Sequence, residues 1–248
     1  MTIETSATVV VVAALITALA TGLGAMPFLF VSRLTHSAIG VANALAAGFM
    51  IAASALLFYE GTGADPLLTV AGAMVGILFV ALASRMLAAK HDVHFEALAS
   101  ADARKALLLV GVMTVHSFAE GVGVGVSFGG GQSLGLVTAL AIAIHNIPEG
   151  LAISLVLIPG GVRVLHAAGW SVLSSLPQPL VALPAFAFVA FFDDLVPLGL
   201  GLAGGAMLWM VVAQVVPDAL RASSRRAVVA ALVGSTVALL VLEALLLS

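Results

Sequence analysis

The chain is expected to be an all-α membrane protein of eight transmembrane helices, and three observations predict this. Of its 248 residues, 62% are hydrophobic and only 8% are charged, where a soluble domain carries about 25% charged residues. Mean hydropathy is +1.23. Eight apolar segments follow one another with turn residues between them, each close to the roughly 20 residues that cross a hydrocarbon core about 30 Å thick. These runs are continuous and do not alternate as barrel strands do. Helices are therefore expected, because lipid leaves no partner for unpaired backbone groups.

In chain order the expected spans are Ala7–Phe30, Ile39–Tyr59, Leu67–Ala89, Ala106–Ser127, Leu134–Ile158, Leu165–Phe188, Leu195–Val216 and Ala227–Leu247. The breaks carry turn chemistry: the run from Gly61 to Pro66, the triplet Gly129–Gly131, and Pro159 with Gly160 and Gly161. The N-terminus holds Glu4 and no Lys or Arg before Arg33. It lacks the basic region of a cleaved leader and reads as the start of the mature protein. The connection of about residues 90–105 is polar, carries His91 and His94, and is expected to be a cytoplasmic loop within a single domain, 1–248. All nine Lys and Arg lie around the odd-numbered connections, on one side, whereas Glu4, Glu60, Asp65, Asp193, Asp194 and Glu243 fall near the other. The positive-inside rule then puts both termini outside the cytoplasm. Gly48 to Met50 in the second span echoes Gly205 to Met207 in the seventh; these spans run in opposite directions, as an inverted repeat requires.

Composition also excludes. With no cysteine, neither a disulfide framework nor thiolate ligation of a metal is available. The balance of 9 basic to 12 acidic residues gives no footprint for nucleic acid.

Two runs carry the chemistry. His116–Gly121 reads HSFAEG and His145–Gly150 reads HNIPEG, 29 positions apart in register. On a helix, positions i and i+4 share a face, so His116 pairs with Glu120 and His145 with Glu149. The short turn near Gly129–Ser133 makes the two spans antiparallel neighbours. Two imidazoles and two carboxylates then converge near mid-depth, a donor set suited to Zn²⁺, Fe²⁺ or Mn²⁺. An ionised Glu at the bilayer centre costs at least about 2.5–3.5 kcal/mol, and a bound cation offsets that cost. Pro148 frees the carbonyl of Ile144 beside this site, and Gly121, Gly123, Gly125 and Gly150 permit close helix approach. Met50, Met74 and Met207 read as core filler.

At these residues the chain resembles the ZIP family of divalent-metal transporters, in particular its bacterial, GufA-like members. HNIPEG is the specific match, and HSFAEG departs from the usual pattern at Ser117 and Ala119. The resemblance spans essentially the whole chain. It implies a transport bundle around helices 4 and 5, flanked by an inverted repeat of helices 1–3 and 6–8, that rocks against a scaffold in a homodimer within the cell membrane. It implies zinc as the transported substrate, with iron, manganese or cadmium as alternatives, and no organic cofactor. It assigns His116, Glu120, His145 and Glu149 to a first metal position, and Ser117, Asn146, Glu149 and a sixth-span residue to a second. That residue is Gln178, where the family often has Glu, and Gln214 likewise stands where an acid is frequent. Having lost charge, the second position is expected to give way to a single-metal site bridged by Glu149. The expected function is uptake of a divalent cation by alternating access, and no enzyme activity is expected. Two rival classes share the ligand chemistry: a membrane di-metal oxidase or hydroxylase, and a metal-binding membrane protein that transports nothing.

Overall fold

Long apolar stretches with few breakers satisfy their backbone internally, and in this chain they do so as helices throughout. The computed structural model describes residues 6–31, 34–89 and 101–247. Ser6 caps α1 (Ala7–Leu23), its hydroxyl accepting from the Val9 amide at 3.3 Å. The expected first span ends early, at Gly24, and continues as a short 3-10 turn over Met26–Leu29 with Pro27 inside it. Thr35 caps α2 (His36–Ala64) by accepting from Ala38. Asp65 alone then links α2 to α3 (Pro66–Ala89), its carboxylate accepting from the Leu68 amide at 3.0 Å. The turn expected over residues 61–66 thus shrinks to one residue, with Gly61 inside α2 against Thr69.

The loop expected near residues 90–105 is shorter than that range, because α4 (Ala101–Gly129) already includes residues 101–105. His91 and His94 lie outside the described residues. Gly131, at φ 138°, turns the chain from α4 into α5 (Gln132–Leu157). This backbone position suits glycine because it has no Cβ to clash.

Two expected single spans are interrupted. The sixth is split into α6 (Val164–Ser175) and α7 (Pro177–Phe191), since Pro177 has no amide proton to continue the ladder. The seventh runs as α8 (Val196–Met210), a π-helical turn over Val211–Val215, and α9 (Val216–Ala222). The last span is α10 (Arg225–Leu247). Counting the two interrupted spans once each, eight rods result. Among the described residues, six of them are long and apolar enough to cross a membrane by length and composition, while α1 is shorter, at 17 residues.

The exterior is apolar, unlike that of a soluble protein, and a few polar side chains are buried. Phe30, Leu67, Leu165 and Phe191 are almost fully exposed, while His116, Glu120, His145, Asn146 and Gln178 are buried. An apolar exterior is what a hydrocarbon solvent selects, and the buried polar side chains are set among an otherwise apolar core.

The rods pack as two groups. In the first, α1, α4, α5, α6 and α7 contact one another; in the second, α2, α3, α8, α9 and α10 do so. The groups meet chiefly where α2 lies on α5 and α8 on α4. The Ser37 and Ser223 hydroxyls, 3.0 Å apart, hold the start of α2 against the end of α9.

Candidate metal centre

Helical periodicity puts His116 and Glu120 on one face of α4, and His145 and Glu149 on one face of α5. The tight glycine turn makes these helices neighbours. The four side chains converge: one donor atom from each lies within 4.8 Å of all the others, and all four residues are buried. Glu120 Oε1 receives both imidazoles, at 2.5 Å from His145 Nε2 and 3.0 Å from His116 Nε2. The two rings are 6.4 Å apart centre to centre. Both oxygens of Glu149 and the Nδ1 atoms of both histidines are buried without a hydrogen-bond partner. Buried polar atoms are rarely left so, and a carboxylate with two vacant oxygens beside two imidazoles is a donor set that a divalent cation satisfies.

The motif glycines place the neighbouring helices. A Cβ on Gly150 would lie 1.7 Å from the Thr21 carbonyl oxygen, so α1 crosses α5 directly behind Glu149. A Cβ on Gly121 would lie 2.7 Å from the Gln178 carbonyl oxygen, which brings the start of α7 against α4. Gly123 and Gly125 face Ala203 and Ala182 at similarly short range. The sequence reading of these glycines as packing positions therefore holds. α5 stays helical through Pro148.

The second group of candidate residues is also gathered, but its members bond largely to one another. Gln178 Nε2 donates to Glu120 Oε2 at 2.5 Å. Gln178 Oε1 accepts from Asn146 Nδ2 at 3.2 Å and from the Thr17 hydroxyl at 2.6 Å. Asn146 Nδ2 also donates to the Thr17 carbonyl at 2.9 Å. Ser117 is fully buried, and its hydroxyl and Asn146 Oδ1 are without partners. Thr17 escaped the sequence reading. Its signal was a pair of hydroxyl residues, Thr17 and Thr21, spaced i and i+4 in an otherwise apolar helix; Thr21 meets the Ser175 hydroxyl at 2.8 Å.

A cavity of about 120 Å³ leads from the cluster, lined by His116, His145, Glu149, Asn43, Gln214 and Asp218. Its far end lies beside Asp218, which pairs with Arg221 at 2.5 Å near the start of α10 with Arg225 and Arg226. Gln214 donates weakly to Ser84 at 3.4 Å. Met50 lines the cavity and Met207 is core, but Met74 is 63% exposed on the apolar exterior of α3 and so corrects its reading as filler. His36 and His166 are exposed near helix starts, and Asp193 and Asp194 form an exposed turn.

With this geometry in place, the likeness to known proteins is informative. A family model described as ZIP Zinc transporter matches residues 83–242. Zinc transporter GufA of Myxococcus xanthus is 34% identical over 245 residues, which cover 94% of this chain and 96% of that protein. A candidate zinc transporter of Arabidopsis thaliana is 47% identical over 231 residues, 92% of this chain but 37% of that protein's length, so this chain spans little more than a third of that relative. Zinc transporter ZIPB of Bordetella bronchiseptica is 31% identical over 112 residues, 45% of this chain and 36% of that protein. Because the family model covers well over half of the sequence and one relative aligns nearly end to end, the chain belongs to the ZIP family of zinc transporters.

Proposed function

We propose that the protein carries a divalent metal cation, zinc foremost, from the outside into the cytoplasm, with His116, Glu120, His145 and Glu149 holding the ion in transit. The observation that carries this reading is the buried four-residue donor cluster on two adjacent helices. The cavity running from it to the end bearing Arg221, Arg225 and Arg226 supports an exit on the basic, cytoplasmic side. The two packing groups support alternating access, in which the site-bearing helices shift against the others and expose the ion to each face in turn. Two glycine contacts support an inverted repeat: Gly48 meets Ser235 of the eighth span, and Gly205 meets Ala73 of the third. A repeat relating spans 1–3 to 6–8 would pair second with eighth as it pairs seventh with third. The protein would act in the cell membrane as a homodimer. Iron, manganese and cadmium suit the same ligands, and selectivity among them lies in geometry.

The test is flux into vesicles holding purified protein, with zinc, iron, manganese and cadmium supplied separately. Wild type should accumulate zinc. His116→Ala and Glu149→Ala, inserted equally well, should drop to the protein-free background. Undiminished zinc uptake by either variant removes these residues from the path.

A further inference from the structure

The Gln178 amide is bonded at both its nitrogen and its oxygen. It donates to Glu120 Oε2, while its oxygen receives Asn146 and Thr17. Its orientation follows from chemistry: an ionised carboxylate accepts and cannot donate, so Nε2 must face Glu120 and Oε1 must face the donors. Each of the three partners sits on a different helix, α4, α5 and α1, and Gln178 is itself fully buried at the start of α7.

This amide stands on the side of Glu120 away from the imidazoles. Glu120 Oε2 is there, and Asn146 and Ser117, each one residue beyond a motif histidine on α5 and α4, have buried side-chain oxygens without partners. Vacant oxygens beside a buried carboxylate are what a second cation would use. An N–H donor in the same place repels a cation and satisfies the carboxylate itself.

We infer that Gln178 is a positioning residue that fills the place of a second cation, so that the centre loads a single ion. The inference rests on the proposed four-residue metal site. Gln178 holds Glu120 by one oxygen and leaves its other oxygen, with both histidines and Glu149, for the transported ion. Replacing the amide with a carboxylate reverses the situation. Gln178→Glu has the same size, removes the donor, and puts a second acceptor against Glu120 Oε2.

The experiment is equilibrium zinc binding to the full chain purified in detergent, with bound metal counted per chain and the elution profile checked. Wild type should hold about one zinc and Gln178→Glu about two, as expected of a completed oxygen and nitrogen donor set. Gln178→Met, which loses the clamp but adds no charge, should keep the same count with affinity weakened about 10–100-fold, the usual cost of losing a partner behind a ligand. Two ions on wild type, or one on well-folded Gln178→Glu, overturns the inference while leaving the four-residue site standing. If Gln178→Glu fails to fold, unchanged affinity in Gln178→Met overturns it instead. Zinc retained at full count by a His116→Ala, Glu149→Ala double variant defeats the site assignment, and the inference falls with it.

Discussion

Glu120 accepts from three donors, His116, His145 and Gln178, while Glu149 on the adjacent helix accepts from none. Their removal should therefore have different consequences in the metal-free protein. Glu120→Ala orphans three buried N–H groups, each costing about 1–3 kcal/mol, and should lower the melting temperature in chelator by several degrees. Glu149→Gln removes a buried carboxylate that nothing satisfies, and should leave that temperature unchanged or raise it. Both variants should lose the stabilisation that added zinc confers on wild type. Equal metal-free losses for the two would show that Glu149 already has a stabilising partner. The four donor residues were legible in the sequence because i, i+4 spacing and a short glycine turn leave neighbouring helices few other arrangements. The Gln178 network was not. Its residues come from α1, α4, α5 and α7, and no local pattern states which faces of non-consecutive helices meet.

At the scale of elements, the apolar runs located all eight rods, but not the breaks within them. Pro177 splits the sixth span and a π-helical turn interrupts the seventh, within segments that average apolar from end to end. Hydropathy reports solvent, and lipid is indifferent to a broken helix whose freed groups are buried in protein. The crossing of α3 on α8 shows what replaces hydrophobic burial between helices in lipid. Gly72 and Gly76 on α3 face the Leu198 and Leu202 carbonyls, and Gly201 and Gly205 on α8 face those of Thr69 and Ala73. A Cβ at any of the four would lie within 2.4 Å of its carbonyl, so the backbones touch and dispersion acts at full strength. Gly76→Val should force the helices apart at a cost of about 1–3 kcal/mol, read as a melting temperature several degrees lower. Gly63→Val is the matched control, since nothing lies within 4 Å of a Cβ there, and its melting temperature should stay near that of wild type. Indistinguishable melting curves for the two variants would sink this account of the crossing.

For the whole molecule, the decisive asymmetry is electrical. Every Lys and Arg lies at the end of an odd-numbered span or beyond it, before the next span's core, and moving such charges across a bilayer during insertion is opposed by the positive-inside bias. The structure adds that the cavity from the donor cluster ends beside Asp218 and Arg221, on the same side as those charges. If the basic end faces the cytoplasm, the cavity leading from the cluster lies toward the cytoplasmic side in this structure. Because the chain has no cysteine, single cysteines report sidedness without background. Gly63 is exposed at the end of α2 beside the second connection, Asp194 is exposed in the sixth, and Gly160 is exposed in an odd-numbered one. In whole cells, a membrane-impermeant thiol reagent should label Gly63→Cys and Asp194→Cys promptly, and should reach Gly160→Cys only after the membrane is opened. The reverse pattern would turn the protein over in the bilayer, and the cavity would then open to the outside. Zinc held at the cluster should slow labelling of a cysteine at Asn43, which lines the cavity, but not at Gly63, so the same chemistry follows the path as well as the sidedness.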